Sequence, residues 1–148
     1  MIKQVMVGAA FFLAAGCAEL PRDPYWKAEA AWQTGHVVDV LQTINGPARD
    51  ECFFEDDPVT KKLIGKHPNT GEVVAWGVAT GVLHYGVSKG LEHLNAPNWV
   101  KIGWQGISLT TKAYTVVNNH NEGIRPWGGN VSDCNGVQGI DRITLENP

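Results

Sequence analysis

Residues 72–94 constrain this chain more than any other segment. Projected at about 100° per residue, apolar side chains occupy nearly the whole circumference, with Val74, Val78 and Val82 on one side and Trp76, Leu83 and Val87 on the other. A helix that is apolar all round has to be enclosed by protein or by lipid. The one remaining strip is small, because Gly77, Gly81, His84 and Ser88 fall within about 60° of each other. Each glycine costs about 1 kcal/mol in a helix interior, so packing must offset it. Gly77 and Gly81 therefore predict a neighbouring helix crossing at close range, and Gly86 with Gly90 repeats the same spacing.

The flanking segments are helical as well. Asp23 can N-cap a helix that carries Pro24 at its first position, and Trp26, Ala30, Val37, Val40, Leu41 and Ile44 then fall on one stripe. Asn45-Gly46-Pro47 ends that helix. A polar connection follows, with the acidic cluster Asp50, Glu51, Glu55, Asp56 and Asp57 and a short helix over 58–64 stopped by Gly65. Asn69 and Glu72 have the spacing of a capping box for the apolar helix. After Pro97, a helix over 99–118 sets two apolar lines, through Val100, Trp104, Ile107 and Tyr114 and through Ile102, Leu109 and Val116. A polar strip of Lys101, Gln105, Ser108 and Lys112 runs between them. The helices at 72–94 and 99–118, joined by a few residues, form an antiparallel hairpin. The fold expected is all-α: a small helical bundle over 24–118 with that hairpin, an irregular acidic loop and a Gly/Asn-rich tail over 119–148. A short strand near 140–145 is the tail's one regular element.

The N-terminal residues carry an address. One lysine, Lys3, precedes an apolar stretch from Val5 to Ala15, too short to span a bilayer. Leu13-Ala14-Ala15-Gly16-Cys17 then sets small residues before a cysteine, and the segment resembles a bacterial lipoprotein signal. The resemblance implies cleavage of residues 1–16, acylation of Cys17, a tether over 17–23 and membrane lipid as the first partner. Ala18 in place of aspartate after the cysteine favours the outer membrane, with the domain facing the periplasm. The chain beyond residue 16 has a formal charge of −4, since only Lys3 is removed from a total of −3. That balance excludes a nucleic-acid partner, which needs a basic stripe. Cys52 and Cys134 remain as an even pair in an oxidising compartment and are expected to form a disulfide.

Two segments, 72–94 and 99–118, are long enough to cross a bilayer, but Lys101, Gln105 and Lys112 count against the second. Glu29, His36 and Asp39 count against the helix over 24–44. The expectation is a helical domain lying against or partly in the membrane. The order Trp32, Val38-Asp39, Gln42-Thr43, Asp57-Pro58, Leu63, Gly65, His67-Pro68, Leu83-His84, Asn118 and Gly123 resembles a group of small proteobacterial proteins expected to be helical and membrane-bound. The similarity covers about residues 30–125 and implies a fold class without an activity.

Chemistry has few footholds. Trp32, His36, Asp39 and Thr43 share a helix face, and a His and an Asp one turn apart can bind a metal or form an acid–base pair. His84, on the small-residue strip, can approach Asp39 or Asn118. Either His36, Asp39, Thr43, His84 and Asn118 build a site between helices, or they form a hydrogen-bonded polar layer that fixes register. The second reading is preferred, because no metal-ligand spacing and no nucleophile elbow is present. The acidic run Glu55-Asp56-Asp57 lacks the spaced oxygens of a calcium loop and reads as solvated charge. No cofactor is implied. The expected role is structural or interactive, with an envelope protein as a possible partner. A small-ligand or lipid binder, or a metal- or His/Asp-dependent hydrolase of the envelope, are the alternatives.

Overall fold

A computed structural model describes residues 23–46, 48, 55 and 58–127. Cys17, Cys52 and Cys134, with the lipidation and the disulfide expected of them, lie outside the described residues, as do Asp57 and the tail from 128. Four helices and no strand are present among the described residues: α1 (Pro24–Asn45), α2 (Pro58–Ile64), α3 (Thr70–His93) and α4 (Asn98–Asn121). The molecule is an all-α bundle. Helix α4 runs about one turn past the expected end, so residues 119–121 belong to it and not to the tail.

The caps are the expected ones. The Asp23 carboxylate accepts from the Tyr25 N–H at 2.8 Å, and Pro24 occupies the first turn, where its missing N–H costs nothing. Asn69 and Glu72 form a reciprocal capping box, with bonds of 3.0 and 2.8 Å between each side chain and the other's backbone N–H. Gly65 ends α2 at φ +89°, a left-handed conformation that a Cβ would oppose.

α1 is the central helix. Its contact with α4 is the most extensive among the described residues and its contact with α3 is next, whereas α3 and α4 touch each other far less. Cross-helix pairs give the directions. Tyr25, Gln33 and His36 of α1 bond Ser88, Gly81 and Gly77 of α3, so those two helices are antiparallel. Asp39 and Gln42 of α1 reach Lys112 and Val116 of α4, so that pair is parallel. The hairpin of α3 and α4 is therefore antiparallel as expected, but it is held together through α1 more than by its own contact.

The glycine strip of α3 is where α1 crosses. A Cβ on Gly77 would lie 2.6 Å from Val40 Cγ2, and one on Gly81 3.3 Å from Gln33 Oε1. The second pair, Gly86 and Gly90, faces open space, so it receives no helix of this bundle.

The polarity of the bundle is partly inverted relative to the sequence pattern. The buried side chains of α1 are Glu29, Trp32, His36, Gln42 and Ile44. Of the apolar stripe, Ile44 is buried, while Trp26, Ala30, Val37, Val40 and Leu41 are half-buried. The polar strip of α4 points inward: Gln105 is buried and Ser108 and Lys112 bond α3 and α1, while Ile102, Ile107 and Tyr114 are 70, 73 and 72% exposed. Val82 and Leu83 of α3 are also exposed. Among the described residues no helix is long and apolar enough to cross a membrane.

Two glycine substitutions should behave oppositely in denaturant unfolding. Gly77→Val drives methyl groups into Val40 and should lose about 1–3 kcal/mol of stability. Gly86→Ala meets nothing within 4 Å and should gain up to about 1 kcal/mol from helix propensity. A neutral Gly77→Val would contradict the crossing described here.

Candidate functional site

The interior is organised around one carboxylate. Glu29 is 3% exposed and sits on the line Glu29, Trp32, Gln33 and His36 that α1 turns toward both partners. From α3, His84 Nδ1 lies 3.1 Å from Oε1 and 3.0 Å from Oε2, and the Ser88 hydroxyl donates to Oε2. From α4, the Gln105 amide donates to Oε2 at 3.0 Å, and from α1 itself Gln33 donates to Oε1 at 2.8 Å. A carboxylate only accepts, so four donors from three helices converge on two oxygens. Burial by itself would raise the Glu29 pKa, but the bonds from His84, Ser88, Gln105 and Gln33 outweigh it and carry the pKa down to about 2.

The layer extends outward from those donors. Ser88 Oγ accepts from Trp104 Nε1 at 3.0 Å and from Gln105 Nε2 at 3.1 Å. His84 Nε2 lies 3.0 Å from Ser108 Oγ, which also donates to its own helix at Trp104 O, 2.8 Å away. The His84 ring is clamped face to face between two indoles: Trp32 at 3.6 Å and 4°, Trp104 at 4.7 Å and 27°. His36 stacks on the other face of Trp32 at 4.8 Å. The four rings make a continuous column.

His36 belongs to a second layer. Its Nε2 donates to Gly77 O at 2.8 Å and lies 3.0 Å from Thr80 Oγ1, while Nδ1 has no partner. Burial pushes the imidazole below the usual histidine value, which keeps the ring neutral and matches a bare Nδ1 lone pair. Gln105 Oε1 is the other buried polar atom among the described residues without a partner.

A third layer closes the far end. Asp39 pairs with Lys112 at 2.6 Å and accepts from Asn119 at 3.3 Å. Gln42, 1% exposed, donates to the carbonyls of Val116 and Ile124 at 3.1 Å each.

The residues singled out from the sequence are thus distributed and do not converge. His84 finds its partners on the expected helices, but they are Glu29 and Ser108 and not Asp39 or Asn118. The reason is axial distance. Asp39 and Asn118 each lie ten residues, about 15 Å, along their helices from the residues that face His84. Asn118 bonds Glu122 at 2.7 Å, and the Thr43 hydroxyl bonds the Asp39 carbonyl one turn back at 3.1 Å. Gly77, Gly81 and Ser88 do line the crossing with α1. Glu29 was the residue to find: it continues the Trp32–His36 line by one turn toward the N-terminus.

The order Glu29–His84–Ser108 is that of a carboxylate–imidazole–hydroxyl relay. Acyl transfer also needs donors for an oxyanion. Ser108 lies in the interior of α4, where the adjacent backbone N–H groups are committed to helix bonds. The Ser108 hydroxyl is itself tied to Trp104 O. The arrangement is suited to holding three helices in one register. Among the described residues no group of three or more His, Cys, Asp or Glu side chains is placed to hold a metal ion. No family model, curated protein or solved structure matches the chain.

The depressed pKa of Glu29 fixes a pH dependence. The stabilisation it brings is complete above its unfolded value of about 4.5 and is lost as pH falls toward about 2, an upper bound of about 3 kcal/mol. Urea midpoints measured from pH 6 to pH 2.5 should decline over that window, and Glu29→Gln should flatten the decline while lowering stability at neutral pH. In double-mutant cycles Glu29→Ala and His84→Ala should cost less together than their sum, whereas Asp39→Ala and His84→Ala should add. Strict additivity of the first pair would show that the carboxylate and the imidazole are not coupled.

Proposed function

We propose that this chain is a membrane-anchored lipoprotein of the cell envelope with a structural or interaction role, held by acylated Cys17 and facing the periplasm. The observation that carries the reading is the partly inverted polarity of the bundle. Between Val73 and Ser88, α3 has no charged residue. Over residues 28–44 of α1 and 104–116 of α4 the charged side chains are Glu29, Asp39 and Lys112, with the exposed Lys27 just before that stretch. All three turn inward and are paired, Glu29 with His84 and Asp39 with Lys112. Among the described residues the waist of the bundle therefore presents apolar side chains and threonine hydroxyls, and no charge, to its surroundings, which suits a domain lying against or partly in the apolar layer of a membrane. Hydropathy averaged along a helix dilutes this feature, because inward polar residues are counted with outward apolar ones.

A hydrolase built from His36, Asp39 and His84 has less support, because those side chains sit in three separate layers. A small-ligand or lipid binder would use the same apolar exterior, and lipid carried through purification would favour it. The leader and the lone small-residue run before Cys17 support export, and export supports the Cys52–Cys134 disulfide. Ala18 supports the outer membrane as the destination.

Intact mass of protein extracted from membranes should begin at Cys17 and include acyl chains, and Cys17→Ser should remove them and release the protein from the membrane fraction. Peptide mapping without reductant on the same material should recover the Cys52–Cys134 pair. A chain that keeps residues 1–16 and carries no lipid would overturn the anchor.

A further inference from the structure

One end of the bundle differs in kind from the other. The start of α1, the end of α3 and the start of α4 meet there, and the turn between α3 and α4 forms the tip. Leu94 and Trp99 flank that turn and are each 76% exposed, with Ile102 at 70% one turn further on. In water, this is a costly place for a leucine, an indole and an isoleucine, since no described residue covers them.

Around the apolar tip sits a collar of aromatic and cationic groups. Trp26 packs on Tyr25 at 5.3 Å and on Tyr85 at 5.8 Å. Lys89 Nζ lies 4.3 Å above the Trp26 ring, and Lys101 Nζ 6.0 Å from the Tyr25 ring. Lys27 is exposed beside them. The acidic groups of this end are engaged locally: Asp23 caps the Tyr25 N–H, and Glu92 accepts from Trp26 Nε1 and from Lys89, each at 3.0 Å. Amphipathic rings with lysines beside exposed apolar side chains are the composition that settles at the boundary between headgroups and acyl chains.

The chain itself supplies the second argument. Cys17 precedes Asp23 by six residues, and six residues reach about 20 Å at most when fully extended. An acyl anchor on Cys17 therefore holds this end within about 20 Å of the bilayer. The opposite end, ~30 Å along α1, whose 22 residues rise about 1.5 Å each, is not under that restraint.

We infer that the tip formed by Leu94, Trp99 and Ile102, with the collar of Tyr25, Trp26, Tyr85, Lys27, Lys89 and Lys101, docks on the phospholipid headgroup layer of the membrane that holds Cys17. The inference rests on the anchor proposed above and adds an orientation to it. The indole of Trp99 enters the headgroup–acyl boundary, and the lysines face lipid phosphates.

Trp99 and Trp127 make a matched pair for the test, because they are 76 and 77% exposed at opposite ends of the molecule. Full-length protein, processed in cells and purified from membranes, is reconstituted into phosphatidylcholine vesicles containing a lipid with a nitroxide on its headgroup. Tryptophan emission should be quenched, Trp99→Phe should remove most of the quenchable component, and Trp127→Phe should leave it in place. Adding phosphatidylglycerol should increase quenching at Trp99, and Lys27→Glu with Lys101→Glu should reverse the increase. Trp99 emission that is blue-shifted yet inaccessible to the nitroxide would place a protein at the tip and overturn the inference. So would quenching carried by Trp127 in place of Trp99. Mass spectrometry of the same sample separates the two claims: acylated protein with unquenched Trp99 overturns the orientation alone, whereas absence of the acyl chains overturns the anchor whatever Trp99 does.

Discussion

A buried carboxylate cannot remain ionised without donors, and the fold of this chain follows from how Glu29 obtains them. The residue is 3% exposed among three helices, and each helix contributes at least one donor. Losing the donors of α3 or α4 would leave that charge under-bonded in a low-dielectric interior, at a cost of about 3–5 kcal/mol, a large share of the stability of a small domain. The usual source of cohesion is scarce. The buried hydrophobic residues among those described are Trp32, Ile44, Val73 and Ile124, too few to define a core by volume alone. Directional bonds and ring stacking take over much of that role here, with α1 as the shared element.

That substitution of polar for apolar contacts explains what could be read from the sequence. Caps, breakers and helix lengths are local, and Asp23-Pro24, Asn69 with Glu72 and Gly65 each announced a boundary that the fold keeps. The small-residue strip of α3 announced its crossing, because a missing side chain is a steric fact regardless of what surrounds the protein. Rotational setting was harder. The apolar stripe of α1 and the two apolar lines of α4 follow the periodicity that, in water, marks an inward face. Here the inward faces are those of Glu29–His36 and of Gln105–Lys112. The periodicity was legible and its sense was only partly kept, since the polar groups that bond Glu29 and Asp39 take much of the inward side, while Val40 and Ile44 of the α1 stripe still turn inward.

Axial register was the other thing a single sequence could not supply. His84 was legible as a buried imidazole needing two partners, and both partner helices were foreseeable. Choosing between Glu29 and Asp39 requires knowing how far α3 slides along α1, and ten residues separate the two. Neither residue carries that information alone. It resides in the fit of Val40 over Gly77 and of Gln33 over Gly81, contacts between side chains far apart in the chain.

The clamp on His84 has a kinetic consequence. An imidazole exchanges its two nitrogens by turning about its Cβ–Cγ bond, and the turning ring sweeps out of its own plane. With Trp32 lying 3.6 Å away and nearly parallel on one face and Trp104 on the other, that sweep is blocked. The nitrogen that faces Glu29 when the helices close is the one that stays there until they part again. Ring reversal at His84 thus shares its barrier with the opening of the bundle, and the slow clock of helix separation governs a motion that is ordinarily fast for a side chain.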